Sequence, residues 1–259
     1  MPTVLVVGAT RGLGAEIVKK YSSDSSNTVF GTTRSADTPS SPKADNIKWI
    51  PSIDVASPSA GKTLASTLSE EKAALDIVVI TAGYFATESF DEPDWDKQVK
   101  MYTTSSIGPI FLVSALAASN LFSKTAKLIL VSSESGSITL RHSSEGGGNF
   151  GHHASKAALN MVGKLLSFDL KEKGVAVGIV HPGFMRTEMT KGVGFDKFWD
   201  DGGAVTPEVA AGSLVEWIEG FGMEGSGTYW APRGAGDIGT AEPVLGDKKD
   251  LPTPLQLPW

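Results

Sequence analysis

Short β-branched apolar runs, spaced by longer stretches of helical periodicity, constrain this chain more than any other feature. The runs are "TVLVVGA" (3–9), "TVFGTTR" (28–34), "LDIVVITAG" (75–83), "AKLILVSS" (126–133) and "VAVGIVHPG" (175–183). They are apolar almost without interruption rather than alternating, the pattern of strands buried on both faces of a parallel sheet. Between them, 12–22, 58–73, 94–122, 150–173 and 207–220 carry helix-compatible spacing. "NIKWIPSID" (46–54) reads as a shorter strand whose pairing Pro51 limits, and "GTYWAP" (227–232) as an edge strand. Strand–helix alternation requires right-handed crossovers. It predicts one α/β domain over 1–259, with a doubly wound, mostly parallel sheet flanked by helices on both faces. From Pro232 onward, repeated Pro and Gly predict an irregular tail over 232–259.

Composition narrows the functional classes. The 259 residues are 41% hydrophobic, which supports a large core, and the net charge of -6 argues against nucleic acid as a partner. There is no cysteine, so disulfide and thiolate chemistry are excluded. No uninterrupted apolar run approaches the roughly 20 residues that span a bilayer, and no signal-peptide pattern precedes the first strand. The expectation is a cytoplasmic protein with no membrane partner.

The first strand runs into "GATRGLG", with Gly8, Gly12 and Gly14 spaced G-x-x-x-G-x-G and Thr10, Arg11 and Leu13 between them. Glycines at a strand–helix turn let a pyrophosphate approach backbone N–H groups at a helix N-terminus. A turn shaped only by packing is the plainer alternative. The second strand ends at Thr33 and Arg34, where an NAD site would carry an acid for the ribose 2′-hydroxyl. Two guanidinium groups, Arg11 and Arg34, without that acid suit the extra 2′-phosphate of NADP(H).

Further motifs follow in order: Asp54 in "SIDVAS", "TAG" at 81–83, "VSSESGS" at 131–137, "HHASK" at 152–156 and "HPGFMRT" at 181–187. Taken together with "GATRGLG", they identify a resemblance to the short-chain dehydrogenases/reductases, running from Thr3 to about Tyr229. "GGNFGHHASKAALNMV", "HPGFMRTEM" and the "LPW" ending look most like the C-factor-type branch. The resemblance implies a Rossmann fold and NADP(H) as cofactor. It places Gly8, Thr10, Arg11, Gly12, Leu13 and Gly14 along the pyrophosphate and adenosine, with Asp54 and Val55 at the adenine. Ala82 and Gly83 pass the adenine ribose, Lys156 holds the nicotinamide ribose, and Pro182, Gly183 and Thr187 flank the nicotinamide. It also implies a homodimer or homotetramer formed through the helices near 95–122 and 150–173.

Carbonyl-reducing members of that family use Asn, Ser, Tyr and Lys, with the tyrosine as general acid. Here Ser133 matches the serine and Lys156 the lysine, but the tyrosine position, four residues before the lysine, is His152. Aligning Gly108–Pro109 puts Ser105 where the asparagine belongs. Two of the four catalytic positions have therefore changed. Burial and the like charge of Lys156 one helical turn away both favour neutral imidazole, a hydrogen-bond donor but a poor proton donor. The i, i+1 pair His152–His153 diverges around the helix, so no metal is expected. Tyr84, Glu134, Ser135, Phe184, Phe198 and Trp199 are the candidate substrate contacts, and 185–205 the candidate lid. Its aromatic residues favour a bulky, largely apolar small molecule.

These residues predict an NADP-dependent oxidoreductase with an altered active site, acting on a bulky ketone, enone or imine of natural-product type. The alternatives are a non-redox isomerase, dehydratase or cyclase on the same scaffold, and a catalytically silent NADP(H)-binding protein.

Overall fold

Val4, Leu5, Val6 and Val7 are all fully buried, so β1 (Thr3–Val7) is covered on both faces. The computed structural model describes residues 1–259. After β1 come α1 (Gly12–Ser22), β2 (Thr28–Thr32), β3 (Ile47–Ile50), α2 (Ala60–Glu70) and β4 (Leu75–Ile80). Then follow α3 (Trp95–Tyr102), a π-helical turn (Thr103–Ile107), α4 (Gly108–Ala118), β5 (Phe122–Val131) and α5 (Phe150–Asp169). The last third holds β6 (Ala176–Val180), α6 (Glu188–Gly192), α7 (Pro207–Gly220), β7 (Thr228–Ala231), α8 (Ala241–Leu245) and β8 (Leu255–Gln256). One sheet takes the order β3-β2-β1-β4-β5-β6-β7-β8, parallel throughout except for the β7–β8 pair.

The α/β architecture follows the sequence pattern. Alternate residues of β1 divide between two cores: Leu5 and Val7 pack with residues of α2, α4 and α5, Val4 and Val6 with residues of α1 and α7. Chain order reverses at β1, whose neighbours are β2 and β4, and ligands of such sheets bind beyond the carboxyl ends of the strands there. Every candidate site motif falls at that end.

The structure corrects two expectations of the fold. The helix expected over 94–122 is divided by the π turn and stops at Ala118, because Asn120 takes a left-handed φ of 54° and β5 begins at Phe122. Pro and Gly alone cannot show such a stop. The 24-residue helical unit Trp95–Ala118 is also apolar and long enough to cross a membrane by composition. Its α4 part packs against α2, where a Cβ on Gly61 would lie 2.3 Å from the Phe111 carbonyl oxygen. Finally, the tail expected to be irregular contains α8 and β8. Tyr229, Ala235, Ile238, Ala241, Leu255 and Leu257 form a third core there, an apolar set whose irregular spacing gives no helix or strand period.

Candidate active site

The glycine turn is built by close backbone approach. A Cβ on Gly14 would meet the Gly8 carbonyl oxygen at 2.2 Å, and one on Gly8 (φ +89°) would meet the Ala82 nitrogen at 2.8 Å. The carboxyl ends of β1 and β4 are therefore in contact at the switch point. Thr81 joins them, its hydroxyl 3.0 Å from the carbonyl oxygens of Val7 and Gly8. Gly12 keeps open space: the nearest atom to a Cβ there is Thr187 Cγ2 at 3.7 Å. Thr187 thus faces the glycine turn from across the crevice. Its own hydroxyl caps α6, accepting from the Thr190 N–H at 3.2 Å.

At the adenosine end, Leu13 is buried beneath the turn, while Thr10, Arg11 and Arg34 are exposed. No carboxylate pairs with either arginine. Thr33 is buried and its hydroxyl donates to the Ser35 carbonyl at 2.5 Å, so it shapes the Arg34 turn. Asp54 is exposed, with one carboxylate oxygen accepting from the Ala56 N–H at 3.1 Å, and Val55 is buried against Gly108. An open glycine cradle and two unpaired cations fit a pyrophosphate nucleotide bearing an additional phosphate.

The reacting end is assembled by α5 and the turn after β5. Gly136 lets that turn lie on the helix, since a Cβ there would be 2.8 Å from the Lys156 carbonyl carbon. Asn160 fastens the two, accepting from Ser132 Oγ at 2.6 Å and donating to the Gly136 carbonyl at 3.2 Å. Ser133 and His152 then sit on either side of Ser135. Ser135 Oγ is 2.8 Å from Ser133 Oγ and 3.2 Å from His152 Nδ1. Lys156 is buried, and its ammonium donates to the Val131 carbonyl at 2.9 Å while lying beside Gly83.

The electrostatics are decided by burial. Desolvation, then the positive charge of Lys156, pushes the His152 pKa down to about 3. Desolvation alone pushes Lys156 down to about 8. The imidazole is neutral near pH 7, with Ser135 as its hydrogen-bond partner. Phe85 packs on it, ring centroids 4.1 Å apart, and Phe195 meets Phe85 edge-on at 5.4 Å. His153 turns elsewhere, its Nδ1 2.9 Å from the Asn149 carbonyl. Ser105 lies in the π turn, 1% exposed, and its hydroxyl has no partner.

Of the substrate-contact candidates, Ser135 lies directly between Ser133 and His152. Glu134 is tied to Arg141 and donates its backbone N–H to His181 Nδ1 at 3.0 Å. Tyr84 faces away towards α3, where the Lys100 ammonium lies 4.3 Å from its ring centroid. Its neighbour Phe85 takes the place over His152. Phe184 packs on Gly202, and Phe198 contacts Phe195 at 6.0 Å between centroids. Trp199 donates to Thr190 Oγ1 at 3.3 Å, which ties 185–205 to itself. A bridge between Met185 and Val205 joins the ends of that segment.

Sequence reading missed several supporting residues. Glu88 caps the start of α5, accepting from the Gly151 N–H at 2.5 Å and from Gln98 Nε2 at 2.9 Å. Buried Tyr229 donates its hydroxyl to the Ser133 carbonyl and stacks on Trp259, whose own carbonyl accepts from the Thr139 N–H at 2.9 Å. Asp237 accepts from His181 Nε2 at 3.2 Å and from the Phe184 N–H. Burial raises its pKa, but those hydrogen bonds and the adjacent imidazole together hold it below the ordinary value. All of these contacts span more than 40 residues except Glu88–Gln98 and Tyr229–Trp259, so local spacing carries little sign of them.

A family model for short chain dehydrogenases matches residues 2–197. The chain belongs to the short-chain dehydrogenase/reductase family of oxidoreductases. A "1-hydroxy-2-glutathionyl-2-methyl-3-butene dehydrogenase" from Rhodococcus sp. (strain AD45) is 32% identical, over 88% of this chain and 96% of that protein. The "Short chain dehydrogenase gsfK" of Penicillium aethiopicum is 29% identical, over 88% of this chain and 95% of its own. Among solved structures, the carbonyl reductase Sniffer of D. melanogaster superposes with a TM-score of 0.77 at 22% identity, covering 100% of both chains. The NADPH-bound carbonyl reductase from chicken fatty liver gives 0.73 at 24% identity, covering 90% of this chain and 96% of that one. The Rossmann-like fold is shared with both.

Proposed function

We propose that this short-chain dehydrogenase/reductase, of the C-factor-like branch, binds NADP(H) and reduces a bulky, largely apolar substrate that needs no proton from a protein acid. An iminium ion meets that condition, because hydride alone converts it to the neutral amine; a ketone leaves an alkoxide and a conjugated enone an enolate, and each of those needs a proton. The observation that carries the reading is His152: it occupies the tyrosine position, is covered by Phe85, and has a pKa pushed down to about 3. Neutral imidazole orients Ser135 and Ser133 but does not protonate an alkoxide.

Arg11 and Arg34 would hold the 2′-phosphate, Gly12 would admit the pyrophosphate, and Lys156 would hold the nicotinamide ribose. NADPH, when bound, supplies the hydride. Ser133 then hydrogen-bonds the substrate heteroatom, Ser135 fixes Ser133, and the lid's Phe195 and Phe198 exclude water. A reduced iminium leaves as the amine, with no proton required at the reacting step. Self-association through the apolar surface of α4 and α5, where Ile110, Phe111, Met161, Leu165 and Phe168 are exposed, is the quaternary expectation, and sedimentation checks it.

The test is a pair of bicyclic substrates of matched size, one a cyclic iminium and one a ketone, each incubated with protein and NADPH. The expected result is amine formed with one equivalent of NADPH consumed, and little alcohol. Product without NADPH consumption would instead support the non-redox alternative. Tight NADPH binding without any turnover would support the silent one.

A further inference from the structure

Five arginines occur in the chain, and their partners divide them. Arg141 pairs with Glu134 and Glu145, and Arg186 with Asp200. Arg11 and Arg34 are solvated on the surface at the adenosine end. Arg233 fits neither group. Its Nε is buried without a hydrogen-bond partner, and no carboxylate lies within ion-pair distance of the guanidinium. Leaving a buried donor unsatisfied is unfavourable, and more so when it belongs to a charged group.

Its position gives the orphan donor a purpose. Arg233 follows the carboxyl end of β7, at the same end of the sheet as Ser133 after β5 and Gly183 after β6. The side chain lies against Gly183: a Cβ there would be 3.0 Å from Arg233 Cδ and 3.2 Å from its Nε. Asp237 approaches the same glycine, with Oδ2 3.3 Å from that Cβ position, but its oxygen is already taken by His181 Nε2 and the Phe184 N–H. The nearest acid is therefore committed, in a chain whose net charge of -6 otherwise disfavours anions.

We propose that Arg233 is the anchor of an anion subsite that binds a carboxylate on the substrate. This rests on the reading of the crevice as an NADP(H)-dependent reductase site, and names the class of substrate it takes: a bulky apolar molecule with a carboxylate arm. Strands β5 and β7 are two spacings apart, so that arm reaches about 10 Å from the reacting carbon at Ser133. Nε is out of solvent's reach, so the carboxylate pairs with the two terminal nitrogens of the half-buried guanidinium, which have no partner of their own. The Rhodococcus relative, whose printed substrate carries a glutathionyl group and hence carboxylates, is consistent with such an arm.

Calorimetric titration of the full-length, NADP⁺-bound protein tests this with two acid–ester pairs: S-hexylglutathione and its dimethyl ester, and phenylbutyrate and its methyl ester. At least one free acid should bind about tenfold or more tightly than its ester, the effect of one charge-assisted pair. Arg233→Met keeps the stem against Gly183 and should abolish that discrimination, whereas Arg233→Lys should retain part of it. NADPH affinity of both variants should change by less than the acid–ester discrimination does, because Arg233 meets the cofactor side only through Gly183 and Met keeps that packing. Equal binding of acids and esters, or discrimination that survives in Arg233→Met, overturns the anion subsite while leaving the cofactor reading intact. Failure of the parent protein to bind NADPH overturns both.

Discussion

The two ends of the crevice obey different rules. At the adenosine end, Gly8, Gly14 and Ala82 are in backbone contact at the switch point, and Arg11 and Arg34 stand free at the rim. Nothing there departs from what a phosphate-bearing nucleotide requires. At the reacting end, the same scaffold holds a neutral, covered histidine, a buried serine without a partner in the π turn, and a lysine pushed down to about 8. One end keeps its geometry because backbone packing enforces it. The other tolerates exchange, because a side chain on α5 can change while Asn160, Gly136 and Glu88 hold the helix in place.

That contrast is sharpened most by His152→Tyr. Restoring a phenol one turn before Lys156 should raise ketone reduction by about 10²–10⁴, the usual scale of general-acid catalysis, with iminium reduction changed far less. Steady-state kinetics on the matched substrate pair reads the split. No gain on the ketone would mean that Phe85 and the lid, rather than the missing acid, set the chemistry.

The opposite end should break instead of gain. Gly14→Ala forces a methyl group against the Gly8 carbonyl, and overpacking of this kind should weaken NADPH binding by about 100-fold in a fluorescence titration. Affinity within about threefold of the parent would show that the turn does not depend on that contact.

Acid stability separates the two ends by another route. His152 is protonated less readily folded than unfolded, so the unfolded chain binds more protons between about pH 3 and the ordinary 6.5. The stability this neutral burial contributes is fully present above 6.5 and is lost as pH falls through the window. Relative to His152→Gln, the parent should lose about 2 kcal/mol between neutrality and about pH 5, measured by urea unfolding. Parallel pH profiles for the two proteins would contradict a desolvated, neutral imidazole. The smallest effect is at the rim: Arg34→Ala should weaken NADPH by about tenfold and leave NADH unchanged, since only the phosphate contact is lost.

How far the sequence reached follows the same division. The strands, the sheet and the cofactor turn rest on contiguous apolar runs and on glycines within one segment, which local reading handles well. The register Ser133–His152–Lys156 was legible because Lys156 fixes a helix phase. Phe85 was missed in favour of Tyr84 because a loop residue's direction is not encoded by period. Tyr229, Asp237 and Trp259 were missed because they reach the site from the tail, where Pro and Gly obscured a third core. The π turn that holds Ser105 has no sequence signature in "MYTTSSIGPI".

The residue in the proton donor's place is a neutral imidazole, which hydrogen-bonds through its one N–H but is too weak an acid to protonate an alkoxide. A nitrogen-15 NMR titration of the His152 imidazole in the NADPH-bound protein, from about pH 8 down to about pH 5, tests it directly. One protonated and one unprotonated ring nitrogen throughout, with no midpoint in that range, is the expected result. Titration to imidazolium with a midpoint at or above the ordinary 6.5 would contradict it.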